Sequence, residues 1–495
     1  MQRSSRAVVA ALVLVLACSC APRPRPLDPR PSGPDAVAAP AGRVEFSVHD
    51  ADGRLLDLAA VRDLQSAGTG EDGEDDLLLD GDDLTVVSAW PVEPGRTSFA
   101  VERPAGDVTL ATAWPSASGY VALLLDLPAP GSYEFTTLIA QQALDDLDGQ
   151  LSRRPGPVPT AVEREHQRAR ELRAAALAAP DAAREGALSA RAFDAAVAAQ
   201  VQLLGGPAAV PAPGRQVAVT FEDPSRHDAL AGVRDLAGDG AREPWVRLVF
   251  DAARPASSYR ADVAAARAAG VHVLGQFLDS TQSDAVDAAG WRRRVAEYVA
   301  ALPGVQAWEV GNEVNGGWVV PDAAERAVWA ARYVKENSTA RTVLTLYWQL
   351  GEDDPADSLF QWAADHLPAA DLADVDDLAL SVYPEEHPLG PAVDRVLRTL
   401  HRAYPDQRLL VGELGYGGPD LEPRWWWGSR DAAAGKVETA RWYSAVAASH
   451  PLTGGGTYWW YYLDDALPPS PVWAALAGRV PGAVARRARP RLGNL

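Results

Sequence analysis

Two glutamates share a setting in this chain: Glu313, in VQAWEVGNEVNGGW, and Glu413, in LLVGELGYGG, each close an apolar strand-like run. Carboxyl groups held in different surroundings can divide acid and base work. One stays protonated and helps a leaving oxygen depart; the other stays ionised and attacks, or stabilises, a positive oxocarbenium-like centre. Cleavage of a glycosidic bond needs such a pair. The two are 100 residues apart in sequence, so the fold must bring them together.

The elements able to do so begin at residue 215. Apolar runs RQVAVTF, WVRLVFD, VHVLGQF, VQAWEVG, RTVLTLYW, DLALSVY, RLLVGE and GTYWWYY alternate with amphipathic helical stretches such as SYRADVAAARAAG and AVDRVLRTLHRAY. Eight β/α alternations over residues 215–480 predict a (β/α)8 TIM barrel in the α/β class, whose site lies at the carboxyl ends of the strands. Three units of about 33 residues separate the ends of strands 4 and 7, which places Glu313 and Glu413 across one mouth. A doubly wound open sheet is the competing fold. It fits less well, because TFEDPSRHDALAG after the first strand is no glycine-rich phosphate loop.

With those motifs in place, residues 215–480 resemble a retaining glycoside hydrolase of clan A, the group with a (β/α)8 barrel and glutamates after strands 4 and 7. The resemblance implies Asn312 as the amide on the sugar 2-hydroxyl, Glu313 as acid/base and Glu413 as nucleophile. It also implies Arg247 on strand 2 as a cation beside Glu413, Tyr383 after strand 6 as a hydrogen-bond partner of Glu413, and Trp460 or Trp459 on strand 8 as an aromatic floor. Strand alternation lets only one of those tryptophans face inward, and Trp460 is preferred. Trp318, Trp348 with Gln349, and Trp425 to Trp427, among them Trp426, are candidates for stacking on sugar rings at the rim. Each has a structural counterpart: Arg247 as an ion-pair residue, Tyr383 as a wall residue, the tryptophans as loop packing. His387 sits near the mouth, as a substrate contact or a solvated loop residue.

The sequence therefore predicts a glycosidase acting by double displacement on a poly- or oligosaccharide. A transglycosylase, or a non-catalytic carbohydrate-binding or scaffold lipoprotein on the same barrel, are the alternatives. No cofactor or metal is expected: HExxH, CxxC and GxSxG are absent, and the eight histidines are scattered. A formal charge of -20 argues against nucleic acid as a partner.

Upstream of the barrel the organisation changes. MQRSSR followed by AVVAALVLVLA and CSC reads as residues 1–20 of a lipoprotein signal, with Cys18 or Cys20 lipidated, an exported cell-envelope location and membrane attachment through the lipid alone. The apolar core of eleven residues is too short to span a bilayer, which needs about 20. Residues 21–42 form a proline-rich linker. Residues 43–138 carry short β-like runs, predicting a small sandwich-like domain, interrupted by GTGEDGEDDLLLDGDD, read as a solvated acidic loop rather than a calcium site. Residues 139–214 are read as two or three helices, with His166 exposed, and residues 481–495 as a basic tail.

Overall fold

The computed structural model describes residues 42–67, 76–154, 156–207, 209–238, 240–350, 354–417 and 425–479. Cys18, Cys20, nearly all of the proline-rich linker, the first half of the acidic run and the basic tail lie outside the described residues.

The N-terminal region builds two mainly antiparallel sheets. Strands β1 (Gly42–His49), β2 (Leu55–Leu56), β5 (Val92–Pro94), β6 (Phe99–Arg103) and β9 (Gly131–Glu134) form one, in the order β2-β1-β6-β5 with β9 parallel to β1. Strands β3 (Leu77–Asp80), β4 (Val86–Ala89), β7 (Val108–Ser116) and β8 (Gly119–Asp126) form the other, in the order β4-β3-β7-β8. Alternation explains β1: Val44, Phe46 and Val48 are buried, and Phe46 packs against Phe99 and Phe135. Two expectations need correction. DLLLD does not belong to a solvated loop; Leu77 to Leu79 are core residues of β3, and Asp76 is buried in an ion pair with Arg62. The β-like region predicted to reach residue 138 also ends earlier, because helix α2 (Phe135–Arg153) begins at Phe135 and carries Phe135 and Ile139 into the core.

A short helix α1 (Leu58–Gln65) lies between β2 and β3, and α3 (Thr160–Leu177) and α4 (Ala182–Gly205) follow α2. His166 is half-buried on α3, its Nε2 2.8 Å from Asp148 Oδ1. No described helix is long and apolar enough to cross a membrane.

Strands β10 (Gln216–Phe221), β11 (Glu243–Val249), β12 (His272–Gln276), β13 (Ala307–Gly311), β14 (Arg341–Tyr347), β15 (Asp377–Val382), β16 (Arg408–Leu414) and β17 (Thr453–Trp459) pair in sequence order, all parallel, and β17 closes on β10. The fold is a (β/α)8 barrel. Helices α5 (Leu230–Leu236), α6 (Arg260–Ala268), α7 (Ala288–Ala301), α8 (Ala323–Asn337), α9 (Leu359–His366), α10 (Val393–Ala403) and α11 (Ala432–Ser449) connect successive strands. In α10, Val393, Val396, Leu397 and Leu400 recur at helical spacing and are buried, which seats that face on the barrel.

The barrel interior is filled in layers. Ala218, Trp245, Leu274, Ala307, Val343, Ala379, Leu410 and Tyr458, one from each strand, form a closed apolar cluster. Two residues further along, the period of a strand puts Thr220, Arg247, Gln276, Glu309, Thr345 and Ser381 on the same inward side, and all are buried. That step from apolar to polar marks where packing ends and the site begins.

Strand β17 starts three residues earlier than its aromatic run suggests. The glycines Gly455 and Gly456 have φ of +99° and +118°. A Cβ there would lie 2.4 Å from Gln216 O and 2.2 Å from Val411 O, so only glycine lets β17 close the barrel between β10 and β16. As a result Trp459 ends the strand and Trp460 follows it.

Candidate active site

Arg247 sets the electrostatics of the mouth. Fully buried, it donates through Nε to Thr220 Oγ1 at 3.1 Å, and its Nη1 lies 3.4 Å from Glu309 Oε1. Its Nη2 lies 2.7 Å from Glu413 Oε2. A guanidinium in low-dielectric surroundings is costly unless paired, and here two carboxylates share it.

Glu413 reaches Arg247 because β15 and β16 shift register between Leu380 and Ser381, so that Ser381 stands opposite Glu413. Tyr383 donates its hydroxyl to Glu413 Oε1 at 2.6 Å, and Asn312 Nδ2 lies 3.4 Å from Oε2. Burial first, then the neighbouring carboxylates Glu413 and Glu313, raise the Tyr383 pKa well above that of a free phenol, so it remains a donor.

Glu313 has other partners. Ser280 Oγ donates to its Oε2 at 2.9 Å and Ser381 Oγ to its Oε1 at 2.6 Å. Burial raises its pKa well above the ordinary carboxyl value, and the charge of Glu413 adds to the rise; the two serines only moderate it. Glu313 also takes φ of +48°, the left-handed region, where a side chain with a Cβ is strained. The preceding Gly311 is required: a Cβ there would lie 2.6 Å from Val314 Cγ1 and 2.8 Å from Leu344 Cδ1. Asn312 Nδ2 is held between Glu309 Oε1 and Glu413 Oε2, at 3.5 and 3.4 Å, and its Oδ1 accepts from the Ser280 amide at 3.0 Å.

The structure thus brings Arg247, Asn312, Glu313, Tyr383 and Glu413 together. Trp460 joins them, its ring 5.0 Å from the Arg247 guanidinium, a cation–π contact. Trp459 does not: it is fully buried, its Nε1 donating to Asp465 Oδ1 at 3.0 Å. Trp318 is 46% exposed and meets the Tyr347 ring edge-on at 5.2 Å. Tyr347 in turn lies near Tyr383 and His387, with ring centroids at 6.3 and 5.3 Å.

Two rim expectations are corrected. Trp348 lies in the interior, its indole donating to Pro388 O at 3.1 Å, and Gln349 is buried against Asn315 O. The run Trp425 to Trp427 fastens the N-terminal region to the barrel: Trp425 Nε1 donates to Gln65 O, Tyr120 N donates to Trp426 O, and Trp427 bridges Gly119. Trp426 itself stands between Tyr120 and Arg430. These indoles pack, as loop tryptophans often do.

Glu309 was missed by sequence reasoning, as were Ser280, Thr345 and Ser381. Strand period offered a signal for three of them, since Glu309, Thr345 and Ser381 each lie two residues beyond an inward apolar residue of the barrel plug. Burial pushes the Glu309 pKa up to about 7, against the pull of Arg247 and Thr345. Elsewhere burial likewise pushes Glu385 up to about 8 and Asp146 up to about 6. No group of three or more histidine, cysteine or acidic side chains suited to a metal occurs among the described residues.

These raised carboxyls have a consequence for stability. A group whose folded pKa exceeds its unfolded value binds more protons in the folded state, so its stabilisation is present below the unfolded pKa and lost as pH rises through the folded one. For Glu309 and Glu385 the window runs from about 4.5 to about 8. The melting temperature is therefore expected to be higher at pH 5.5 than at pH 8; an equal or reversed order in a thermal scan would contradict those burials.

No protein-family model matches the chain, and neither does any curated protein sequence. Among solved structures the barrel is similar to a GH10 xylanase from Bispora sp. MEY-1, at 12% identity over 52% of this chain and 95% of that one, with a TM-score of 0.37. A GH113 β-mannanase from Alicyclobacillus acidocaldarius shows 17% identity over 53% and 96%, with a TM-score of 0.36. A GH128 endo-β-1,3-glucanase from Amycolatopsis mediterranei shows 13% over 54% and 99%, with a TM-score of 0.33. Likenesses this distant decide nothing about activity, which must be argued from the side chains.

Proposed function

We propose that this protein is a glycoside hydrolase that cleaves O-glycosidic bonds of a poly- or oligosaccharide with retention. One observation carries the reading: two buried carboxyl groups at one barrel mouth sit in opposite surroundings. Glu413 lies against an opposite charge, the Arg247 guanidinium, and against a phenol and an amide, whereas Glu313, among the described residues, accepts from two hydroxyls while burial and the charges of Glu413 and Asp279 raise its pKa. In the first step Glu413 attacks the anomeric carbon, the bond to the leaving oxygen breaks, and Glu313 gives that oxygen its proton. In the second, Glu313 takes a proton from water, which attacks the glycosyl ester and frees Glu413. Asn312 would hold the sugar 2-hydroxyl and Trp460 one face of the ring.

The test is a panel of dinitrophenyl 2-deoxy-2-fluoroglycosides followed by peptide mass spectrometry. An adduct on the Glu413 peptide is expected. Inverted product, or an adduct elsewhere, would overturn the assignment.

Tyr383 offers a subtler check. A Cβ on Gly415 would lie 2.2 Å from Tyr383 Cε1, so Gly415→Ala must displace that ring. Misplacing a group in contact with the nucleophile is expected to lower turnover by on the order of 10²-fold. Steady-state kinetics on an aryl glycoside measures it; unchanged turnover would remove Tyr383 from the mechanism.

The reading includes export, with a lipid on Cys18 or Cys20, supported by the charged and apolar segments before them. Detergent phase partitioning is expected to place the wild-type protein in the detergent phase and the double Cys→Ser variant in the aqueous one. A wild-type protein found in the aqueous phase would exclude the anchor.

A further inference from the structure

A cavity of about 590 Å³ lies away from the mouth, lined by the C-terminal ends of α2 and α4, the flank of α10, and His450 to Leu452, which lead into β17. That volume suits a small-molecule ligand. Its lining is unlike the rest of this acidic chain: Arg153, Arg154, Arg398 and Arg402 face a single carboxylate, Asp394. Asp394 is already taken, with Arg153 Nη2 at 3.0 Å, Arg398 Nη2 at 3.3 Å and His450 Nε2 at 3.1 Å. It can balance one positive charge of four, and Asp146, the other carboxylate acting on Arg398, lies outside the lining with its pKa pushed by burial up to about 6.

The surplus shows in individual groups. The Nε atoms of Arg154 and Arg398 are buried with no hydrogen-bond partner among the described residues. Burial, and then the like charge of Arg153, pull the Arg398 pKa down against the opposing pull of Asp394. Buried donors without acceptors are costly, and an anion in the cavity would satisfy them. The lining also holds an apolar group, Leu203, Leu204, Val210 and Leu452, beside the polar Gln150, His401 and Ser449. Val210 is 77% exposed, an apolar surface that contact with a ligand chain would cover.

We propose that this cavity binds an anionic amphiphile, with a phosphate or carboxylate head on the arginines and an apolar chain along Leu203, Leu204 and Val210. A free inorganic anion would leave the apolar wall bare. A neutral detergent would leave the Nε atoms of Arg154 and Arg398 without a charged acceptor.

Isothermal titration of the full-length protein with dodecyl phosphate, below its micelle concentration, tests the assignment. Saturable binding of one molecule per chain is expected. Arg154→Glu should weaken it by about tenfold or more, the scale of a charge-assisted hydrogen bond, and Arg154→Lys should weaken it less. Val210→Asp, at an exposed position where folding is safe, should weaken it as well. Inorganic phosphate and dodecyl maltoside should each bind about tenfold more weakly than dodecyl phosphate, since each meets one wall only. Absence of saturable binding, equal binding by either control, or wild-type affinity in both Arg154→Glu and Val210→Asp would overturn the proposal.

Discussion

Replacing Glu413 with alanine is expected to lower turnover of a dinitrophenyl glycoside by about 10⁴-fold or more, the scale on which removal of a covalent nucleophile acts. The structure adds a second half to this result. Truncation leaves space beside Arg247, whose Nη2 sits 2.7 Å from the lost carboxylate in a fully buried position. A guanidinium deprived of its partner in low dielectric attracts a small anion strongly. Added azide is therefore expected to enter, attack the anomeric carbon from the face Glu413 occupied, and restore turnover while producing a glycosyl azide of inverted configuration. The leaving oxygen of a dinitrophenyl group needs no proton, so rescue does not depend on Glu313. Full activity in Glu413→Ala without azide would sink the nucleophile assignment. Loss of activity with no azide product, in a variant that melts like the wild type, would count against the carboxylate-shaped space beside Arg247.

How much of this was legible beforehand differs between barrel and site. Eight apolar runs at regular spacing expose the barrel directly, because each strand is covered on its outer face by helices and on its inner face by the plug, and so reads as continuously apolar. Registers near the mouth are harder. Glu413 turns inward through a shift between β15 and β16 that no alternation pattern announces, and β17 begins in a run of glycines that local propensity reads as a turn. Glu309 was passed over because WEVGNE draws attention to its last two residues, although Glu309 shares Arg247 with Glu413. Tryptophans misled for a different reason: an indole on a loop looks the same in sequence whether it faces a ligand or a neighbouring sheet. Trp425 to Trp427 face other elements of the fold, and their partners in the N-terminal region, Gln65 of α1 and Gly119 and Tyr120 of β8, lie far upstream in the chain. Contacts at that separation depend on how the N-terminal region docks, which composition and period do not encode.

For Glu313 the expected loss depends on the leaving group, and that dependence identifies its role. With an unactivated polysaccharide, Glu313→Gln is expected to lower kcat by about 10³- to 10⁴-fold, the upper range for general acid catalysis. With a dinitrophenyl glycoside the first chemical step, seen as a burst of dinitrophenolate, should stay within about tenfold of wild type, since that leaving group departs without a proton. The glycosyl ester should then accumulate, because no base remains to activate water. In the wild type the alkaline limb of kcat/KM should lie above the ordinary carboxyl range, since Glu313 must be protonated for the first step and burial together with the charge of Glu413 raises its pKa. The second contribution is conditional on that charge. Once Glu413 is esterified its charge is gone, Glu313 loses the repulsion while keeping the burial, and its pKa falls. The acid of the first step thereby becomes a stronger candidate for base in the second. Glu413→Gln imitates the neutral state, so a carbon-13 titration of the Glu313 carboxyl should show a lower pKa in that variant than in the wild type, still above that of a solvated glutamate. An unchanged value would mean that the two carboxyl groups do not sense each other, and the division of labour proposed for them would have lost its physical cause.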